Sequence, residues 1–414
     1  MEQGGGTGID PPINPPRPRR ARIPTIHESV CFLRAGACRC SRPSTRESRD
    51  MNETEQELMS GKVWDDFCDR LKEVGRHITR PEIPADPFTR AEGYRYLTRV
   101  LRSSFDIFSE HADAEFPVIY RPCDEMVKYG GDDPDKYLQK CAVSGAHDYL
   151  IRGRRGTVQS VSFLTQGSSF GDGGTMLPTG FLDTDSLLVE ADGSFEITVS
   201  AKEHAGNWLP MEPGSQALLI RQTFGDRSKE AIAELEIECL SDRRTPAPLD
   251  PEKFVRGLEA ATGFLDGTVN LFCDWAERYQ AHPNALPQED PETCRAVGGD
   301  PAIAYFNSYW ALEEDEALVV ELSHVPECRA WSLQVCNYWM ESLDYRYHRT
   351  NVNKDTAFIE EDGSVRMVIS ALDPGLPNWI TTAGHTTGTI LFRLTGADEV
   401  VEPTTRVVKR NELR

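Results

Sequence analysis

One pattern in this chain is written twice, and it restricts the fold more than any single residue does. Residues 192–209 read DGSFEITVSAKEHAGNWL, and residues 362–380 read DGSVRMVISALDPGLPNWI. Both copies open on Asp-Gly-Ser, place Ser-Ala eight and nine residues on, and reach Asn-Trp after an irregular stretch. The copies keep step beyond that point. Asp192 to Asn207 spans 15 residues and Asp362 to Asn378 spans 16, while Asn207 to Arg221 spans 14 and Asn378 to Arg393 spans 15. One inserted loop residue per interval accounts for the offset, so the spacing predicts an internal duplication.

Around the repeat the apolar period is two. DYLIRGRRGTVQSVSFLT alternates about Gly-Arg-Arg-Gly and predicts a hairpin, Tyr149–Arg152 with Val158–Leu164. SFEITVSA and SQALLIRQTF read as further strands. In the second copy EALVVELSHVPECRAWSLQVCNYW predicts a hairpin turning near Pro326-Glu327, followed by strands SVRMVISA and GTILFRLT. Many short strands with Gly/Pro turns point to a mainly β fold of two tandem, jelly-roll-like antiparallel β-sandwiches. Residues that recur in both halves read most simply as fold requirements. Asn207 and Asn378 would pin irregular loops, their Trp neighbours would pack beneath, Asp-Gly would turn the chain, and Arg221 and Arg393 fall under the same reading.

Helices are expected before and between the sandwiches. Thr54 and Glu57 stand in a capping-box relation ahead of Trp64, Phe67, Leu71 and Val74 on one face. Asp86-Pro87 starts a second helix with apolar positions Tyr94, Leu97, Leu101 and Phe108, and Asp250-Pro251 starts a connecting one. The expected division is a leader at 1–50, a helical segment at 51–115, a sandwich at 116–245, a helical connection at 246–300 and a second sandwich at 301–414. The leader carries nine arginines, no lysine and five acids, and its Pro/Arg-rich run has no apolar period. It reads as a disordered tail or as sequence upstream of a start at Met51.

Composition removes several function classes. The 414 residues carry a formal charge of −21, which disfavours nucleic acid and anionic membrane surfaces as partners. No apolar run is long enough to span a membrane. The eleven cysteines include no C-x-x-C, and they read as small buried hydrophobes of a reducing, cytoplasmic compartment. No phosphate loop, nucleophile elbow or zinc-helix motif occurs, so no cofactor or metal is expected.

Candidate site residues lie where the second half departs from the first. TTAGHTTGT sets His385 between glycines, and its counterpart PMEPGSQA has no histidine. CNYWMESLDYRYHRTNVN, residues 336–353, is the densest polar-aromatic cluster, and alternation over Tyr345–Arg349 predicts a strand. From these stretches His385 is expected to transfer protons, with Asp344 and Arg346 orienting charge. Trp339 and Trp379 would wall a pocket, and Asn337, Asn351 and His348 would contact substrate.

The stretches YWALEEDEALVVELSHVPECRAWSLQVCNYWMESLDYR and DGSVRMVISALDPGLPNWITTAGHTTGTILFR resemble the bacterial family catalogued as domain of unknown function 1214, over about residues 305–411. The preceding half resembles the region that often accompanies that domain. The resemblance implies paired jelly-roll-like sandwiches and supplies no catalytic assignment. The functional expectation is an enzyme acting on a small, rather apolar metabolite. It would use metal-independent acid–base chemistry of hydrolase, lyase or isomerase/cyclase type, in a cleft between the sandwiches. The alternative is a non-catalytic glycan- or partner-binding module, and the apolar faces of the N-terminal helices are compatible with a homo-oligomer under either reading.

Overall fold

The computed structural model describes residues 51–167, 178–296, 299–300 and 302–413. The expected leader, 1–50, lies outside the described residues. Sixteen described strands form four four-stranded sheets in two similar halves. In the first half β1 (Lys136–Ala142), β7 (Ala217–Thr223), β3 (Ser160–Gln166) and β4 (Pro178–Asp183) make one sheet in that order. β6 (Trp208–Pro210), β5 (Ser194–Ser200), β2 (Tyr149–Arg154) and β8 (Glu234–Cys239) make the other. The second half repeats this. β9 (Ile303–Ala311), β15 (Thr387–Thr395), β11 (Ala330–Cys336) and β12 (Asn351–Asn353) form one sheet, and β14 (Trp379–Thr381), β13 (Val365–Ser370), β10 (Glu316–Leu322) and β16 (Thr404–Lys409) form the other. Adding eight to every strand number of the first half gives the strand order of the second. The duplication is a fact of topology.

The repeated residues do the same work in each copy. Asn207 Oδ1 accepts from the Leu188 N–H at 2.7 Å, and its Nδ2 donates to Leu188 O (2.8 Å) and Glu196 O (2.9 Å). Asn378 does likewise with Phe358 N–H (2.7 Å), Phe358 O (2.7 Å) and Arg366 O (3.1 Å). Trp208 and Trp379 donate their indole N–H to Ser200 O (3.0 Å) and Ser370 O (3.2 Å). Each Asn thereby satisfies two backbone groups of a loop that has no sheet partner and ties them to a carbonyl of the neighbouring strand, β5 or β13. The third sheet partner in each copy is parallel, β5 with β6 and β13 with β14, so the sandwiches are not purely antiparallel as expected.

Two further expectations fail for one reason. β2 pairs with β5 and β8, whereas β3 pairs with β4 and β7, so residues 149–164 are no hairpin. β10 and β11 are likewise in different sheets. In both halves the short link crosses from one sheet to the other, which alternation along a strand does not distinguish from a turn back onto its neighbour. Gly153, read as a turn glycine, lies within β2, where a Cβ would meet the Phe195 ring at 2.4 Å.

The helices hold to their start signals with shifts of detail. α1 (Glu53–Ser60) is capped by Asn52 with Glu55 rather than by Thr54 with Glu57, since Asn caps as well as Thr and lies two residues earlier. Gly61, at φ 83°, ends it before α2 (Lys62–Gly75), and Trp64 is left exposed while Phe67 and Val74 are buried. α3 (Pro87–Phe105) starts at Asp86 and α4 (Pro251–Tyr279) at Asp250 as expected, but α3 buries Tyr96 and Val100 and exposes Tyr94. A last helix, α5 (Pro291–Ala296), precedes β9. Each sandwich has its own apolar core, around Ile151, Phe163, Ile197 and Ile220 in the first half and Val320, Trp331, Ile369 and Phe392 in the second. A third core packs α3 and α4 on the second half through Tyr96, Phe264, Tyr309 and Trp339. No helix among the described residues is long and apolar enough to cross a membrane. All eight cysteines among them are free thiols.

Candidate functional site

The strand positions left over from the sandwich cores decide where a ligand would go. In β7 Leu218 and Ile220 fill the first core, so Leu219 and Arg221 point the other way. On β1 the same parity aligns Lys136, Leu138 and Lys140, with Leu138 opposite Arg221 and Lys140 opposite Leu219. The second half turns the matching sheet toward this face, bringing Tyr305, Asn307 and Arg393. Between them lies a cavity of about 270 Å³, walled on a third side by Phe264, Phe272 and Trp275 of α4.

A loop, residues 121–133, covers the remaining side. Its closeness depends on two glycines. Gly130 (φ 69°) leaves no room for a Cβ against the Phe272 ring, and Gly131 (φ 65°) none against Leu391, at 2.8 and 2.9 Å. Asp132 anchors the loop by accepting from Ser342 N–H (2.8 Å) and Oγ–H (2.6 Å), and Lys128 donates to Ser342 O at 2.8 Å.

The lining is cationic although the chain is acidic. Arg121, Lys136, Lys140, Arg221 and Arg393 face Asp124, Asp132 and Asp133, five bases to three acids. Arg121 is paired with Glu125 (2.7 Å), Lys136 with Asp133 (3.5 Å) and Arg393 with Asp133 (3.5 Å). Lys140 Nζ and the Arg221 guanidinium have no hydrogen bond or ion pair among the described residues. Gln166 Nε2 and Asn307 Oδ1, on side chains 2% and 3% exposed, are also without partners. Buried polar groups are normally satisfied, and Gln166 Nε2 and Asn307 Oδ1 in the wall are exceptions, while the partly buried Lys140 and Arg221 bring two unpaired cations to the same cavity.

Burial sets the titration of this lining. It pushes the Lys140 ammonium down to about 8, with Cys123 opposing only weakly. The thiols of Cys123 and Cys294 go the other way, up to about 12 and about 11, and stay protonated and unreactive at neutral pH. The Asp132 carboxyl is raised by burial against the pull of Lys128 and its Ser342 hydrogen bonds. Among the described residues no three His, Cys, Asp or Glu side chains converge as a metal-ligand set.

None of the eight residues expected from the sequence lines this cavity. His385 is brought instead against α3, with Nδ1 3.0 Å from Thr382 O and Nε2 3.2 Å from the Glu92 carboxylate. Glu92 pairs with Arg95 (2.7 Å), and Glu341 pairs with Arg99 (2.5 Å). Asn337 donates to Glu341 at 2.8 Å, and its Oδ1 accepts the Trp339 and Glu341 N–H groups. Trp339 is buried beneath Gly93 and donates to Thr89 O at 2.9 Å. These residues fasten α3 to the second sandwich.

Asp344 and Arg346 meet each other in a bidentate pair (2.8 and 2.7 Å) at the surface, and His348 is exposed beside them. The expected strand at 345–349 is a turn, because Asp344 draws the chain back on itself through the Arg346 N–H to its carboxylate and the His348 N–H to its carbonyl. Asn351 donates to Asp135 (2.9 Å), and Trp379 is fixed by Ser370. From this cluster the cavity receives Tyr345 instead.

Arg221 and Arg393 are the reverse case. Their recurrence was grounds for a purely structural reading, yet both border the cavity. Lys140, Gln166 and Asn307 left no signal in the sequence beyond ordinary strand alternation.

The fold and this cavity define a tandem β-sandwich protein with a partly open cavity between its halves. The chain belongs to the family described as "Protein of unknown function (DUF1214)", which matches residues 177–224 and 311–399, one stretch in each half. The crystal structure of an uncharacterised protein from Burkholderia cenocepacia is 48% identical, with a TM-score of 0.84 over 86% of this chain and 99% of that one. The VPA0106 protein from Vibrio parahaemolyticus is 11% identical, with a TM-score of 0.43 over 76% of this chain and 98% of its own. No curated protein matches the chain.

Proposed function

We propose that the protein is an enzyme that takes a small, largely apolar metabolite into the cavity between its two sandwiches and transforms it by acid–base chemistry on its own side chains. The observation that carries this reading is Lys140, which borders the cavity without a partner and is held at about 8 by burial. A lysine so placed exists as both amine and ammonium near neutral pH and can take or give a proton. The proton-transfer role is thereby given to Lys140, and His385, tied to Glu92 and Thr382, is given a positioning role for α3. Leu138, Leu219, Phe264, Phe272 and Trp275 would hold the apolar body of the substrate. The small volume, about 270 Å³, favours a small molecule over a glycan chain or protein partner.

The test is a thermal-shift screen of the protein against a metabolite library, repeated with Leu219→Trp, which fills the cavity. A ligand at a hundred times its dissociation constant adds about 2.7 kcal/mol of stability, which is readily seen. Hits that the filled variant loses support the cavity, and hits it retains place binding elsewhere. Incubation of each hit with wild type and Lys140→Met, followed by mass spectrometry, then separates catalysis from storage. Product from wild type alone supports the enzyme, and no product from either makes the protein a binding module.

A further inference from the structure

The two repeated arginines differ in a way that identifies what the cavity takes. Arg221 lies opposite Ser162 on β3, and Arg393 lies opposite Ser332 on β11, so the two occupy equivalent positions in equivalent sheets. Arg393 is engaged through both terminal nitrogens. Its Nη1 donates to Gln334 Oε1 at 2.6 Å and stands 3.5 Å from the Asp133 carboxylate, and its Nη2 donates to Gly131 O.

Two residues beyond Ser332 is Gln334; two residues beyond Ser162 is Leu164. The first half has a leucine where the second has the acceptor, and among the described residues no carboxylate or carbonyl takes its place at Arg221. Asp300 acts on Arg221 only as a longer-range charge. A partly buried guanidinium whose counter-charge is distant is incompletely compensated, and an anion arriving beside it completes the pairing.

We infer that the ligand is a small monocarboxylic acid whose carboxylate pairs with Arg221, as the Asp133 carboxylate does with Arg393. This rests on the proposed function and names the chemistry of its substrate. The guanidinium fork matches a planar carboxylate. A phosphate ester would draw on Lys140 as well as Arg221 and is the competing ligand in the test below. Helix α4 faces the cavity with its middle turns, Phe264 to Trp275, rather than with its N-terminus. The cavity, at about 270 Å³, restricts the acid to a small one, with Leu138, Leu219 and the α4 aromatics against its body.

The experiment is calorimetric titration of the full chain with a panel of aliphatic and aromatic monocarboxylates, each beside its neutral primary amide, and with inorganic phosphate. Acids are expected to bind at least about tenfold more tightly than their amides, the factor of a charge-assisted hydrogen bond. Arg221→Gln should erase that preference, and Arg221→Lys should restore part of it.

Leu164→Gln gives an independent reading should the arginine variants not fold. It rebuilds the Gln334 arrangement around Arg221 and should weaken acids about tenfold while leaving amides unchanged. Equal binding of acids and amides, or competition by phosphate alone, overturns the carboxylate assignment and leaves the cavity as a binding site. A panel in which neither acids nor amides bind overturns the proposed function with it.

Discussion

His385 Nε2 stands 3.2 Å from the Glu92 carboxylate, joining the loop after β14 to helix α3. Burial raises the Glu92 carboxyl, but the His385 hydrogen bond and charge, with Arg95, outweigh it and hold the group below the usual glutamate range. A carboxylate depressed in the folded state contributes stability that is complete above its unfolded value and is lost as the pH falls through the folded one. His385→Ala should therefore lower stability by about 1–3 kcal/mol at pH 7, the cost of stranding a buried charged acceptor. Denaturant titrations should show that difference shrinking below about pH 4. Loss of turnover with unchanged stability would instead return His385 to the catalytic role expected from the sequence.

Lys140 gives a pH dependence of the same sense in an alkaline window, from a group that costs stability rather than adding it. Its folded value, about 8, lies below the ordinary lysine value of 10.5, so between those limits the unfolded chain binds the extra proton. Stability then rises with pH across that window, and the cost of burying the ammonium is complete below about pH 8. Lys140→Met should be more stable than wild type at pH 7 by up to about 3 kcal/mol, converging with it above pH 10. Peptide mapping after brief acylation with a small reagent should also find Lys140 modified with a midpoint near pH 8.

Gly93 tests the docking of α3. A Cβ there would lie 2.3 Å from Trp339 Cζ2 and 2.8 Å from Ile78 Cγ2, both on fully buried side chains. Glycine to alanine within a helix ordinarily gains roughly 1 kcal/mol. The clash should win, because a buried indole cannot move without displacing its neighbours, and Gly93→Ala should cost a net of about 1–3 kcal/mol. A rise in melting temperature would show that α3 is held less tightly than these distances indicate.

The paired asparagines offer a comparison within one molecule. Asn207 and Asn378 make the same three hydrogen bonds, but Asn378 is 1% exposed and Asn207 is only partly buried. Water can replace the lost partners at Asn207 and cannot at Asn378. Asn378→Ala should cost about 2–4 kcal/mol and Asn207→Ala about half as much, read from urea midpoints with unchanged slope.

The sequence by itself determined the duplication, the strand content and the helix starts at Asp86 and Asp250. Each is local: a spacing, a period of two, or a cap one residue from its helix. It also marked Asn207, Asn378 and their tryptophans as structural, because a residue needed at the same point of both copies answers to the fold. Only the tertiary structure decided which strands share a sheet, since alternation shows a face and not a partner; the two mistaken hairpins follow from that.

It decided the site for the same reason. His385 and the Asp344–Arg346 pair stood out as unusual residues in loops, and their partners, Glu92 on a distant helix and each other, use up their chemistry. Lys140, Arg221, Gln166 and Asn307 lie in unremarkable strands far apart in sequence. They acquire their character only when two sheets turn their outer faces together, enclose polar groups and leave them unpaired. The difference between Arg221 and Arg393 comes down to Leu164 against Gln334, one side chain whose meaning depends on the strand beside it.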